Sequence, residues 1–168
     1  MSEPSTVPPV RLAERFASSE RFRALFASGM DLVEETACYL DGEGRREAKA
    51  MDRRLGALYG TESMRLTTRL MQLASWLLLQ RSVVDGEMTR ADAMAEKEKV
   101  KLAGLPSLRT GEWDRLPEAF RSLVDRSAAL QRRVISLDAE IYGDEPAEPA
   151  RPNPVLQQVD LLHKVFDR

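Results

Sequence analysis

Residues 61–84 read TESMRLTTRLMQLASWLLLQRSVV, and this stretch decides the fold. It holds no proline or glycine, so nothing interrupts a helical backbone. Leu66, Leu70, Leu73, Leu77 and Val84 fall at steps of four, three, four and seven, with Gln80 in the skipped slot. That is the a/d seam of a helix burying one stripe against neighbours. Met64, Met71 and Leu78 form a second stripe, with Thr68 and Ser75 between them. Glu62, Arg65, Arg69, Gln72 and Trp76 form a third, on which a Glu62–Arg65 pair is available. A helix apolar on two sides is central in a bundle or shared with a partner. The third stripe reads two ways. It is a solvated face with one half-buried Trp, or an interface, because Arg and Trp are enriched at binding hot spots. The interface reading expects Trp76→Ala or Arg69→Ala to weaken association more than folding.

Upstream, residues 1–15 carry three of the prolines and read as an extended arm. Ser18 or Ser19 can cap a first helix over residues 19–40. Phe22, Leu25, Phe26, Gly29, Val33, Thr36, Ala37 and Leu40 recur in it at helical spacing, with Gly29 suited to a close helix–helix approach. Asp41-Gly42-Glu43-Gly44 ends that helix with glycines available for a left-handed cap. From Glu43 to Val84 the chain reads as one long or once-kinked helix, with Gly56 and Gly60 as kink or contact points. Arg45, Arg46, Lys49, Arg53 and Arg54 make its start the most basic segment. Glu47 and Asp52 interrupt the cations, which favours a solvated, salt-bridged face over a site for an acidic partner.

Downstream, Asp85-Gly86 ends the long helix, and Thr89 with Asp92 signals a cap for a short one over residues 90–102. Its high charge predicts a mobile connector spanning about 85–115. Pro117 opens a last helix over 117–142, with Phe120, Leu123, Ser127, Leu130, Val134, Leu137 and Ile141 in heptad spacing. Trp113 stands just before it, placed to close the bundle end. The domain plan is therefore an arm at 1–15, a helical bundle at 16–142, and a disordered Pro- and acid-rich linker with a docking segment at 143–168. In that segment Val155, Val159, Leu162 and Phe166 share one helical face suited to a partner's groove.

Composition narrows the function. The charged fraction is 31% and the hydrophobic fraction 43%, which fits a helical globular chain. A net charge of −2 and 6% aromatics weigh against nucleic-acid binding and base stacking. No run of apolar residues reaches the length of a membrane span, and the N-terminus lacks the features of a signal peptide, so the expected location is cytoplasmic. One cysteine rules out an intramolecular disulfide, and Cys38 reads as a packed thiol. The only histidine, His163, has no carboxylate or thiol at catalytic spacing, and no phosphate-binding glycine loop is present. The reading is therefore an α-helical interaction protein that is not an enzyme and needs no cofactor or metal.

The run TESMRLTTRLMQLASWLLLQR with the loop DGEMT, the upstream LVEETACYLDGEGR and the later RPNPVLQQV resemble the RcdA family, regulators of CtrA degradation. The resemblance is strong over residues 16–89 and looser in the last third. It implies an all-α three-helix bundle with a long central helix, forming a homodimer with a disordered tail. It also implies a non-enzymatic adaptor of the ClpXP protease. In this family a CpdR-like response regulator primes ClpX, and the adaptor then tethers cargo, and further adaptors such as PopA, to promote degradation of cell-cycle regulators including CtrA. Recruitment to a cell pole extends the same resemblance. No nucleotide site is carried over. Two alternatives remain open: a structural dimer or scaffold with no protease link, and a nucleic-acid-associated regulator using residues 45–54. The protein-binding candidates are the Met64–Met71–Leu78 stripe, the Glu62–Arg65–Arg69–Gln72–Trp76 stripe and the face of Val155, Val159, Leu162 and Phe166.

Overall fold

Asp52 starts the element on which the rest is assembled. Its carboxylate accepts hydrogen bonds from the backbone N–H groups of Arg54 and Leu55, both at 3.0 Å, and so satisfies two of the donors that a helix start leaves open. The computed structural model describes residues 9–100, 102, 109 and 111–143. Among these there are five α-helices and no strand: α1 (Pro9–Asp41), α2 (Glu43–Ala50), α3 (Arg53–Val84), α4 (Arg90–Lys97) and α5 (Glu118–Tyr142). The long helices α1, α3 and α5 form a three-helix bundle with α3 central. At its far end α3 stops in a Schellman motif. Gly86 takes φ +76°, its N–H bonds Val83 O at 3.1 Å, and Glu87 N–H bonds Ser82 O at 2.9 Å.

The Leu66–Leu70–Leu73–Leu77 seam is buried along its whole length, and Gln80 is buried in the skipped slot. Val84 is exposed, so the seam stops short of the helix end. In α1 the buried positions are Phe22, Leu25, Gly29, Leu32, Thr36 and Tyr39. These run at alternating three and four, and the seam takes Leu32 and Tyr39 where the sequence suggested Val33 and Leu40. Gly29 fits that phase: a Cβ there would stand 2.5 Å from Leu77 Cδ1, so a larger residue would require the Leu77 side chain to shift. Phe120, Leu123, Ser127, Leu130 and Val134 of α5 are buried as expected. Tyr39, Tyr59 and Phe120 join the three helices near one end, with the rings of Tyr59 and Phe120 centred 4.7 Å apart. Trp113, in a single 3-10 turn before α5, is buried as well.

Several local expectations are corrected. α1 begins at Pro9 rather than residue 19, since proline is welcome in a first turn and no breaker follows before Gly29. Gly42 and Gly44 are not left-handed; Gly86 is the one positive-φ glycine among the described residues. The kink falls at Met51-Asp52, where both residues are extended, and not at Gly56 or Gly60. Cys38 is exposed, because Thr36 and Tyr39 take the inward positions of that turn. α4 ends at Lys97 and is capped by Thr89, whose Oγ1 accepts from Asp92 N–H at 3.1 Å. Ala93 is only 1% exposed, so this short helix packs on α3 instead of hanging free.

The chain divides into two units, residues 1–135 and 136–168. The described part of the second unit is the end of α5, closed by a 2.8 Å bond from Gly143 N–H to Ala139 O. The N-terminal residues 1–8 and the segment bearing Val155, Val159, Leu162 and Phe166 lie outside the described residues.

Candidate protein-interaction site

The three stripes of α3 separate cleanly by burial. Glu62 and Trp76 are each 1% exposed and Arg69 is 7% exposed, while Arg65 and Gln72 are half-buried. Glu62, Arg69 and Trp76, on the stripe that the sequence left as either a solvated face or an interface, are therefore interior in this chain. They form a polar seam between helices: Arg69 Nη1 donates to Ser127 Oγ at 2.8 Å, and Ser127 Oγ donates onward to Val124 O at 2.7 Å. Glu62 is buried with Arg65 Nη1 3.9 Å from its Oε1, which realises the pair expected from their spacing. Burial pushes the Arg69 guanidinium below its ordinary pKa, and the Glu62 charge pulls it back up. A buried arginine with an acid on its own face and a hydroxyl across the gap fixes the register of α3 against α5.

The second stripe is the outer face. Met64 is 73% exposed, Met71 66% and Leu78 51%, and they stand at seven-residue intervals. Ala57, Gly60, Thr61, Thr68 and Ser75 share that face and are all exposed. No charged side chain interrupts it between Ala57 and Leu78. Two of its three hydroxyls are turned back on the helix: Thr61 Oγ1 donates to Ala57 O at 3.0 Å and Ser75 Oγ to Met71 O at 2.9 Å. Those two demand nothing from a partner, so the face is an uncharged, largely apolar strip of about six turns. A Cβ added at Gly60 would meet nothing within 4 Å, which leaves room for another helix to come close there. Methionine is pliable and suits surfaces that accept several partners.

No group of three His, Cys, Asp or Glu positioned for a metal occurs among the described residues. No helix among them is long and apolar enough to cross a membrane. The sequence left both stripes as candidate contact surfaces; the Met stripe is exposed, and Arg69 of the other is buried against Ser127, 58 residues away.

The family described as "Protein of unknown function (DUF1465)" matches residues 13–166. No curated protein matches the sequence. Among solved structures, RcdA from Caulobacter crescentus CB15 is similar, with 46% sequence identity and a TM-score of 0.61, over 74% of this chain and 92% of that one. Near-complete coverage of the relative at this identity extends the likeness beyond the central helix to the whole bundle, and the chain belongs to the RcdA-like DUF1465 family.

Proposed function

We propose that this chain is a non-enzymatic adaptor that tethers cargo proteins, or further adaptors, to the ClpXP protease and so promotes regulated degradation of cell-cycle regulators such as CtrA. The observation that carries the reading is its 46% identity to RcdA over 92% of that chain. On this reading ClpX is primed by a CpdR-like response regulator, a PopA-like adaptor docks on the chain, and the work is done in the cytoplasm. An adaptor acts by raising the effective concentration of cargo at the protease, so weak contacts on a helical surface suffice.

The exposed Met64–Met71–Leu78 face supports self-association as part of this function. A second copy offers the same uncharged strip, and a two-fold contact makes such a strip its own complement. The segment at Val155, Val159, Leu162 and Phe166 would then supply a tethered docking peptide. The same Met face is the observation that favours the second reading, a dimeric scaffold with no protease link.

One experiment separates them: cargo turnover by ClpXP and its primer, measured with and without this protein. Accelerated turnover supports the adaptor. A dimer that leaves turnover unchanged supports the scaffold.

A further inference from the structure

Residues 43–54 contain five cations, Arg45, Arg46, Lys49, Arg53 and Arg54, and three anions, Glu43, Glu47 and Asp52. Sequence alone suggests that these neutralise one another. The structure arranges them otherwise. All five cations are exposed, and none of their side chains has an ion-pair or hydrogen-bond partner among the described residues. On α2, at about 100° per residue, Arg45, Lys49 and Arg46 fall within roughly a quarter of the helix circumference. Glu47 points elsewhere: it accepts a 2.5 Å hydrogen bond from the Tyr39 hydroxyl. Gly44 lets α2 lie close enough for that bond, since a Cβ there would stand 2.6 Å from Tyr39 Cε1 and 2.5 Å from the Tyr59 hydroxyl. Asp52 is committed too, to the cap of α3 and to Arg115 Nη2 at 2.6 Å.

Glu47 is thus committed to Tyr39, and Asp52 to the α3 cap and Arg115, so neither forms an ion pair with the five cations. Arg53 and Arg54 also stand in the first turn of α3, which holds no acidic residue beyond its N-cap Asp52. Beside Arg54 lies an open groove of about 390 Å³ lined by Arg54, Leu58, Gly111 and Glu112. Leu58 is half-buried there, and Glu112 is paired with Arg115.

We propose that this α2–α3 corner is a docking site for an acidic segment of a partner protein, with an apolar residue beside the acids seated on Leu58. Four of the five cations are arginines, whose planar forks match carboxylates in pairs. A protein partner fits better than a nucleic acid. The chain as a whole is net negative, which opposes a long polyanion, and the aromatic rings at this corner, Tyr39 and Tyr59, are buried and cannot stack on bases. The site uses no residue of the Met64–Met71–Leu78 face, and its test does not depend on the protease reading.

The test uses the full chain and fluorescence anisotropy with a short labelled glutamate-rich peptide containing one leucine. Binding should weaken by roughly tenfold between about 50 and 300 mM salt, as screening of exposed charges requires. Arg46→Ala/Lys49→Ala should weaken it by about tenfold, the loss expected for two charge-assisted contacts. Arg132→Ala/Arg133→Ala, which removes two exposed cations of α5, should leave it unchanged. No binding, equal losses in the two double variants, or tighter binding of a single-stranded oligonucleotide of equal charge would overturn the proposal. So would a large gain in peptide affinity for Glu145→Gln/Glu148→Gln, which would assign the corner to the chain's own acidic segment.

Discussion

Arg69 of α3 reaches Ser127 of α5 with a 2.8 Å hydrogen bond from Nη1 to Oγ, and both residues are buried. This contact makes the Arg–Trp stripe a structural seam. Arg69→Ala should therefore cost about 1.5–3 kcal/mol of stability, the range for losing a hydrogen bond to a charged group. Trp76→Ala should cost about 3–5 kcal/mol as a large-to-small change at a fully buried site. Chemical denaturation checks both. A weakened association with unchanged folding would restore the stripe to the surface.

The outer face should respond in the opposite way. Met64→Glu and Met71→Glu change exposed side chains, so each should alter monomer stability by no more than about 0.5 kcal/mol. If this face is the self-association contact, each should abolish association, because a charge placed in the middle of an apolar two-fold contact would face its own copy. Sedimentation velocity reads the association state directly. A dimer that survives both changes would move the interface elsewhere.

Two glycines distinguish internal from external contact. Gly44→Ala pushes a methyl into the Tyr39 and Tyr59 rings and should destabilise the chain by about 1–3 kcal/mol despite better helix propensity. Gly60→Ala meets nothing in the monomer and should stabilise it by about 0.5–1 kcal/mol. If the Met face is the dimer contact, the same Gly60→Ala change should weaken association. Thermal melts at low and high protein concentration separate the two effects.

These outcomes show what could be read from the chain and what could not. The Leu66–Leu77 seam was legible because four leucines recur on it at alternating four and three, without a polar residue among them. The α1 seam was ambiguous, since Leu32 and Val33, and Tyr39 and Leu40, are apolar neighbours. The phase observed puts Gly29 against Leu77, a pairing that the sequence does not display. The pairing of Glu62 with Arg65 was legible as a local spacing, whereas the inward turn of their stripe depends on Ser127. The basic segment is solvated as its composition suggests, but the local salt bridges expected within it are not formed. Asp52 is taken by Arg115, 63 residues away, and Glu47 by Tyr39 of the preceding helix.

Acid should loosen the bundle through two named carboxylates. The Glu35 carboxyl is held below its ordinary range first by its hydrogen bonds from Arg126, at 2.7 and 2.6 Å. Asp52 is held down by the Leu55 backbone N–H and then by Arg115. Both pKa values are lower folded than unfolded, so the stability they contribute is complete above the unfolded carboxylate range, near about 4, and is lost as pH falls through the folded values beneath it. Melting temperature should be flat from neutral pH to about 5 and fall below about 4. Glu35→Gln should make that fall shallower. An identical acid profile in the variant would remove Glu35 from the explanation.

Removing residues 144–168 should leave the melting temperature of the bundle unchanged and abolish delivery of cargo, if the segment at Val155, Val159, Leu162 and Phe166 is the docking peptide. Circular dichroism and a degradation assay on the same truncated protein check the two halves. Undiminished delivery would place the docking contact on the bundle.

The most direct measurement is reconstituted proteolysis. Purified ClpX, ClpP and a CpdR-like primer are mixed with a cell-cycle regulator as cargo, with and without this chain, and cargo loss is followed over time. The adaptor reading predicts faster loss when the chain is present and no faster loss when the primer is omitted. Equal rates with and without the folded chain, across its full concentration range, would contradict it.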